Sequence, residues 1–138
     1  MENCGLCIAF KKGSQVIDES DLCFSMVNYE PMQKGHVMVV PKRHVELLAD
    51  FSDDEIKDFF RMIDKTRKLV EKSHDNGVLI LLNGKKFKSQ NHFHMHIVPV
   101  PEGLREIMSK YNNSPVRKKI SEEEMKETRE HLLKNLRD

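Results

Sequence analysis

The chain lacks the features that mark membrane, secreted and nucleic-acid-binding proteins. No apolar run approaches the roughly 18 residues of a membrane-spanning helix, and no basic segment followed by an apolar one stands near its start. Positive and negative side chains nearly cancel, leaving a formal net charge of +1. A near-neutral surface exerts no general attraction on nucleic acid or on a membrane. We therefore expect an intracellular, cytoplasmic protein.

Cysteine is scarce, and its number is odd. The chain has three cysteines, which cannot all pair within one molecule. Cys4 and Cys7 form a C-x-x-C pair, which in an intracellular protein points to metal or redox chemistry rather than to a disulfide framework. The pair alone leaves three alternatives open: half of a zinc site, a redox pair, or chance. Cys23 lies within a predicted strand, and we expect it to be buried filling.

Internal repeats and low-complexity linkers are also missing. A length of 138 residues suits one domain with a single hydrophobic core. We expect residues 1–102 to form the core of that domain. Residues 103–138 are expected to be a C-terminal extension of the same domain.

The pattern of apolar residues predicts an α+β fold with a mostly antiparallel sheet. The longest helix should begin after Ser52, where Glu55 completes a capping box, and should end near Asp75. Ser121 caps a second clear helix near the C-terminus. Short strands are expected around these helices, over residues 15–19, 22–28, 36–40, 78–82 and 91–100, with 78–82 buried.

Three histidines stand at alternate positions near the middle of the chain. His92, His94 and His96 would share one face of a strand, while the apolar residues between them would face the core. Rings that titrate near neutrality suit chemistry better than packing. A neutral imidazole can attack phosphorus through one nitrogen when an acceptor holds its other N–H. The alternative is a metal-buffering or accidental cluster.

The run from His92 to Val98 resembles the His-φ-His-φ-His-φ-φ signature of the histidine triad (HIT) superfamily of nucleotide hydrolases and transferases. The resemblance extends upstream to Gly35-His36, the following Val-Met-Val-Val strand, and Pro41-Lys42-Arg43-His44. It covers about residues 4–100 and implies a HIT-like fold. The tail from Gly103 onward resembles nothing that we can name.

The resemblance implies a role for each matching residue. His94 would be the nucleophile, with its Nδ1–H held by the main-chain carbonyl of His92, and would form a covalent nucleotidyl-histidine. His96 would hydrogen-bond a phosphoryl or leaving-group oxygen. Asn28 would contact the ribose, with Phe24 and Leu22 near the base. The other implied site residues are Asn83 on the phosphate, Ser89 on the leaving group and His36 in support of the triad.

Two of these assignments have plain structural alternatives. Asn83-Gly84 also reads as an ordinary turn, and His36 as a polar residue at the start of a strand. The zinc-binding branch of the superfamily supplies a further implication. It combines an early Cys-x-x-Cys with the histidine after Pro-x-x and with the first triad histidine. By that pattern Cys4, Cys7, His44 and His92 would hold a structural zinc ion.

The sequence departs from the family just before the triad. The usual Gly-Gln-(Ser/Thr) run is replaced by Lys88-Ser89-Gln90-Asn91, and Lys85 and Lys86 stand in the same loop. Lysines there would suit a polyphosphate leaving group; the alternative is that they are ordinary solvated loop charges. The Pro-Arg found after the triad in several branches is Pro99-Val100-Pro101 here.

The resemblance and the residues together predict a homodimeric hydrolase or nucleotidyltransferase that attacks the α-phosphate of an adenosine- or guanosine-type conjugate. The conjugate is a dinucleoside polyphosphate or a nucleoside 5′-phosphoramidate. The alternative is a nucleotide-binding regulatory or scaffold protein with incidental hydrolase activity. In that case the charged helix Ser121–Arg137 and the basic step Arg117-Lys118-Lys119 would dock a partner.

Overall fold

The computed structural model describes residues 3–115 and 119–136. Their backbone forms two compact units, Met1–Gly103 and Leu104–Asp138. The prediction of one domain, with a core over residues 1–102 and an extension over residues 103–138, stays a prediction. No described helix is long and apolar enough to cross a membrane.

The first unit is built on a five-stranded antiparallel sheet, which confirms the predicted fold class. The strands lie in the order β1-β2-β3-β5-β4, and all four neighbouring pairs are antiparallel. Their bounds are β1 Val16–Glu19, β2 Cys23–Val27, β3 Val37–Pro41, β4 Gly77–Leu81 and β5 Met95–Val100.

The long helix α2, Asp53–His74, covers one face of this sheet. Its capping box is present as predicted: the Ser52 hydroxyl accepts from the Glu55 N–H, and the Glu55 carboxylate accepts from the Ser52 N–H. It ends at Asp75, which adopts the left-handed conformation. The buried side chains of Phe59 and Ile63 pack in one cluster with residues from β2, β3 and β5.

A short helix that the sequence did not predict, α1 over Gly5–Lys12, contributes to the core of the opposite face. Its N-cap is Cys4, whose sulfur accepts from the Cys7 N–H at 3.4 Å. Cysteine is not among the residues that normally signal an N-cap, so this helix start is hard to recognise from sequence. Leu6 and Ala9 are buried there with residues of β2 and β3.

Strand β4 corrects the prediction of a buried strand at 78–82. It lies at the sheet edge, and Ile80 keeps 38% of its surface exposed. A run of apolar residues is expected for a central strand, but an edge position leaves one side of the backbone and part of the side chains uncovered.

The predicted strand over 91–100 is also shorter than expected. Regular pairing begins only at Met95, and the two residues His92 and His94 lie in the segment before it. The Phe93 N–H leaves the sheet pattern to donate to the Val45 carbonyl at 2.7 Å. The side-chain alternation nevertheless persists, since Phe93 and Ile97 belong to the core cluster under α2.

The second unit contains two helices, α3 over Leu104–Asn112 and α4 over Glu122–Leu136. The Glu124 N–H donates to the Ser121 hydroxyl at 3.1 Å, which confirms the predicted cap. No described residue of either helix is buried, so they have exposed apolar side chains. Val116, Arg117, Lys118 and Arg137 lie outside the described residues, so two of the three residues of the predicted basic step and the last residue of the predicted helix are not described.

Candidate active site and metal centre

The side chains of His94 and His96 lie in a cavity of about 420 Å³ on the α1 face of the sheet. His96 pairs with Met38 across β3 and β5, and its ring centroid lies 4.9 Å from that of His94. Four more residues singled out from the sequence line the same cavity: Asn28, His36, Asn83 and Ser89. The fold thus brings together residues that are up to 68 positions apart, since 96 minus 28 is 68.

The Nδ1 atom of His94 forms a hydrogen bond, and its Nε2 atom lies on the other side of the ring. Its Nδ1 lies 2.8 Å from the main-chain oxygen of His92, so Nδ1 carries the proton and donates it. This tautomer leaves a lone pair on Nε2. Burial lowers the pKa of His94, and the positive charge of Lys88 lowers it further. The ring is therefore neutral at pH 7, which is the form that a nitrogen nucleophile requires.

The tautomer of His96 follows from a chain of two hydrogen bonds that passes through His36. The Met32 N–H donates to His36 Nδ1 at 3.1 Å, so the proton of His36 is on Nε2. His36 Nε2 lies 2.8 Å from His96 Nδ1 and donates to it. The proton of His96 is then on Nε2, where it can donate to a substrate oxygen.

Both rings of this chain are held neutral. Burial lowers the pKa of His96 to about 4, with smaller contributions from His94 and His36. Burial also lowers the pKa of His36. The N–H of a neutral His96 can donate to a phosphoryl oxygen on which negative charge develops. The lone pair of a neutral His94 stays available at the same time.

The apolar wall of the cavity corrects one prediction. Phe24 does not line it: its ring packs on Phe10 at 4.5 Å inside the core, and Leu22 packs against the cluster on the α2 side. Residues from α1, β2, β3 and the loop before β3 form the wall instead, namely Leu6, Ala9, Met26, Met32 and Met38. Strand alternation could have identified Met26 and Met38, but Leu6 and Ala9 depend on the unpredicted helix α1.

A second constellation lies beside the first. Four potential ligand atoms, from Cys4, Cys7, His44 and His92, all lie within 4.8 Å of one another. His92 Nδ1 is 3.4 Å from the Cys4 sulfur and 3.3 Å from the Cys7 sulfur, and His44 Nδ1 is 3.7 Å from the Cys7 sulfur. Ligand atoms around a tetrahedral zinc ion are separated by about 3.3–3.8 Å, from bond lengths near 2.0 and 2.3 Å.

The donor chemistry of this cluster also suits a metal. His92 Nε2 donates to the Pro41 carbonyl at 2.7 Å, so the lone pair of Nδ1 faces the two sulfurs. Burial lowers the pKa of His92 to about 4, which keeps the ring neutral. Burial and the neighbouring Cys4 raise the pKa of the Cys7 thiol. A cation would reverse that effect, because it favours the thiolate.

His92 belongs to both constellations. Its side chain faces the two cysteines, while its main-chain carbonyl holds the Nδ1–H of His94. The alternation of a short extended segment produces this arrangement, since the backbone of one residue lies beside the side chain two positions later. Any group that orders the His92 ring therefore also orders the acceptor of His94.

The loop lysines do not surround the cavity. Lys85 and Lys86 lie on an exposed 3₁₀ turn, and the Lys88 ammonium donates to the Glu46 carbonyl at 2.7 Å. Among the described residues that line the cavity there is no lysine or arginine. The structure favours the alternative of ordinary loop charges for Lys85 and Lys86, while Lys88 is close enough to His94 to lower its pKa.

Comparison with known proteins agrees with this geometry. The HIT domain model matches residues 9–103. The chain is 33% identical over 97 residues to the uncharacterised HIT-like protein MJ0866 of Methanocaldococcus jannaschii, covering 69% of this chain and 75% of that one. A crystal structure of a HIT family member from Bacillus subtilis is 26% identical, with a TM-score of 0.65, over 86% of this chain and 99% of that one.

Two further relatives are named for an enzymatic activity. A bis(5′-adenosyl)-triphosphatase of Dictyostelium discoideum is 32% identical over 90 residues, covering 62% of this chain and 60% of the relative. The adenosine 5′-monophosphoramidase hnt1 of Schizosaccharomyces pombe is 30% identical over 85 residues, covering 60% of this chain and 62% of the relative. This chain therefore spans less than two thirds of the length of either hydrolase. With the family model matched over most of its length and the histidine run in place, the chain belongs to the HIT domain family.

Proposed function

We propose that this chain is a hydrolase or nucleotidyltransferase that attacks the α-phosphate of a nucleotide conjugate through a covalent nucleotidyl-histidine. The observation that carries the proposal is the pair of tautomers in the cavity: His94 offers a lone pair on Nε2, and His96 offers an N–H on Nε2. The names of the two relatives, a triphosphatase and a phosphoramidase, support nucleotide conjugates as the substrate class.

The proposed reaction has two displacements. His94 Nε2 forms a bond to the α-phosphorus as the bond to the leaving group breaks, and the leaving group departs with the bonding electrons and takes up a proton. His96 donates to a phosphoryl oxygen, and Ser89 contacts the leaving group. Water or another acceptor then attacks the same phosphorus and releases His94. The His92 carbonyl stabilises the positive charge that His94 carries in the intermediate.

A panel assay tests this function. Purified protein is incubated with diadenosine polyphosphates, adenosine 5′-phosphoramidate and their guanosine counterparts, with and without inorganic phosphate, and products are separated by chromatography. Release of the nucleoside monophosphate supports the proposal, and release of the nucleoside diphosphate from a phosphoramidate when phosphate is added identifies a transferase. Turnover of none of these substrates would contradict it.

Asn28 is proposed to contact the ribose hydroxyls. Its Nδ2 lies 3.5 Å from His36 Nε2, which places the amide at the cavity beside the triad. We expect Asn28→Ala to weaken nucleotide binding by about 0.5–1.5 kcal/mol, the value of one hydrogen bond. Isothermal titration with a slowly hydrolysed nucleotide measures this loss.

A second variant separates this effect from local damage. Asn28 Oδ1 also accepts the Glu30 N–H at 2.9 Å, so alanine disturbs the turn. Asn28→Asp keeps that acceptor and should retain most of the affinity. Equal, wild-type affinity for both variants, or a nucleotide complex with its ribose far from residue 28, would contradict the assignment.

We further propose that the Cys4, Cys7, His44 and His92 cluster holds a structural zinc ion, as in the zinc-binding branch of the family. The distances between sulfur and nitrogen, the neutral His92 ring and the engaged Nε2 of that ring all support a closed four-ligand site. The metal, when bound, supplies a cross-link between the start of α1, the loop after β3 and the triad segment. It takes no part in the proposed displacements.

A homodimer is also proposed, and the exposed edge strand β4 supports it. Strand β4 has a sheet neighbour on one side among the described strands, and an uncovered edge is a template for pairing with a second copy. We expect Ile80→Lys to shift the protein towards monomer at micromolar concentration, because a charge on the edge opposes pairing. Sedimentation velocity measures the shift.

Ile17 provides the control for this experiment. It lies on the opposite edge strand β1 and is 39% exposed, against 38% for Ile80. Ile17→Lys should leave the oligomeric state unchanged. A wild-type protein that sediments as a monomer, or equal effects of both substitutions, would contradict a β4 interface.

A scaffold role is the second candidate, and helix α4 is the observation that favours it. Its apolar side chains line a groove, and they include Met125, Leu132 and Leu136. All three are more than half exposed. The described residues that line this groove all belong to the second unit. We nevertheless favour the enzyme over the scaffold, because the hydrogen bonds of His94 and His96 suit attack on a phosphoryl group.

The cytoplasmic location stays a prediction, which imaging of the tagged chain would test.

A further inference from the structure

The turn between β2 and β3, residues 28–36, carries the first hydrogen bond of the chain that ends at His96. The Met32 N–H in this turn donates to His36 Nδ1 at 3.1 Å, and that bond places the proton of His36 on Nε2. His36 Nε2 then donates to His96 Nδ1. The position of one main-chain N–H in the turn therefore decides which nitrogen of His96 can donate to a substrate.

The hydrogen bonds of this turn hold it together without tying it to another element. Among the described residues, 29–35 form hydrogen bonds only within the segment 28–36. The Glu30 N–H donates to Asn28 Oδ1 at 2.9 Å, and the His36 N–H donates to the Gln33 carbonyl at 3.0 Å. Bonds of this kind fix the shape of a turn, but they do not fix its position against the rest of the fold.

His74, in the last turn of α2, supplies a contact from outside the turn. A Cβ atom on Gly35 would lie 2.6 Å from both Cδ2 and Cε1 of the His74 ring, and Cβ atoms do not approach other atoms within 3.0 Å. Gly35 also has a φ of +91°, in the left-handed region that favours glycine. The missing side chain thus lets the imidazole of His74 lie against the main chain of the turn, one residue before His36.

The helix end that carries His74 is fixed by the core. Val70, one helical turn earlier, is buried in the cluster between α2 and the sheet. The imidazole of His74 has no hydrogen-bond partner in the described part of the chain, so it acts on the turn by packing. A side chain on a rigid helix thereby supports a turn that has no other anchor of its own outside β2 and β3.

We propose that His74 is a positioning residue, which holds the turn against α2 and so selects the tautomers of His36 and His96. Without the ring, the turn can move and the Met32 N–H can leave His36 Nδ1. Both rings can then carry their proton on Nδ1 instead of Nε2, with His96 Nδ1–H donating to His36 Nε2. Each ring still has one proton, but His96 Nε2 has lost the N–H that it offers to a substrate oxygen. The consequence for catalysis rests on the proposed function.

Nuclear magnetic resonance of protein labelled with ¹⁵N-histidine tests the inference without substrate, because the nitrogen shifts report which ring nitrogen carries the proton. We expect Nε2–H on both His36 and His96 in the wild-type protein and a mixture of the two tautomers in His74→Ala. The kcat of His74→Ala should fall about tenfold, since a small misplacement of a catalytic group costs up to about a hundredfold in rate. His74→Phe keeps an aromatic ring over Gly35 and should restore both the tautomers and the rate.

Lys72→Ala is the matched control, because Lys72 lies in the same last turn of α2 and is exposed. It should leave the tautomers and kcat unchanged. Wild-type tautomers in His74→Ala, even with a lower melting temperature, would overturn the inference, and so would equal changes in Lys72→Ala or a failure of His74→Phe to restore them. Absence of turnover by the wild-type protein would contradict the proposed function instead, so the two failures are distinguishable.

Discussion

Replacing His94 by alanine should abolish turnover while leaving the fold intact. Among the described imidazole rings that line the cavity, only that of His94 has its N–H bound by an acceptor and its other nitrogen free to attack. Its Nδ1–H donates to the His92 carbonyl at 2.8 Å, which leaves the lone pair of Nε2 available. Removal of a catalytic nucleophile typically costs several orders of magnitude in rate. We expect kcat to fall at least about a thousandfold, measured with whichever conjugate the panel assay identifies.

The covalent intermediate provides a second measurement for the same variant. Rapid mixing of wild-type protein with substrate, followed by an alkaline quench and intact-mass spectrometry, should show the added mass of one nucleotidyl group. His94→Ala should show none. Because the ring is buried, circular dichroism and thermal melting are needed to show that the variant is folded.

His131→Ala is the control, since His131 lies on the exposed face of α4 in the second unit. It should retain full activity and the intermediate. Activity of His94→Ala within about tenfold of wild type, a barrier change near 1.4 kcal/mol, would exclude His94 as the nucleophile.

Loss of either early cysteine should remove both metal and stability. Protein purified without chelator should contain about one zinc ion per chain by the four-ligand argument, and Cys4→Ser or Cys7→Ser should contain much less. A bound ion at a thousandfold excess over its Kd stabilises the fold by about 4 kcal/mol. For a chain of this size we expect the melting temperature to fall by roughly 10 °C or more.

The third cysteine separates metal loss from general destabilisation. Cys23 is fully buried in the core, away from the cluster, and burial raises the pKa of its thiol to about 12. Cys23→Ala should lower the melting temperature by creating a small cavity and yet keep the zinc content. Wild-type protein without metal and with freely reactive Cys4 and Cys7 thiols would contradict the site.

Metal loss should also reduce activity, because His92 joins the two sites. Its ring faces the cysteines, and its carbonyl holds the His94 Nδ1–H. A ring freed from the cluster lets this carbonyl move and weakens control of the His94 tautomer. We expect kcat to fall in Cys4→Ser, in parallel with its zinc content rather than with its melting temperature, so that Cys23→Ala keeps its rate.

The parts of the fold that were predicted correctly are those with a strong local signal. Helix α2 combines a capping box at Ser52 with a helical period of apolar residues and ends at a left-handed Asp75. Its start and end depend on neighbouring backbone groups, which local sequence specifies. The same holds for the cap at Ser121.

The errors lie where the outcome depends on distant residues. The apolar run of strand β4 predicted a buried strand, but β4 lies at the edge of the sheet. Its place in the sheet depends on which strands pair, which the run itself does not specify. Helix α1 begins at a cysteine whose sulfur both caps the helix and faces His92, which stands 88 positions later. Phe24 packs on Phe10 in the core and does not line the cavity, contrary to the prediction.

The sequence by itself determined which side chains are candidates for chemistry, namely the alternating histidines and the cysteine pair, and it determined the family to which the chain belongs. Spacing along one segment sets which side chains share a face, so these features needed no tertiary information. The tertiary structure alone decided the tautomers of His94 and His96 and the role of the His92 carbonyl. It also decided that the loop lysines do not line the cavity. Those properties depend on distances between groups far apart in the chain, and only the packing of helices on the sheet sets such distances.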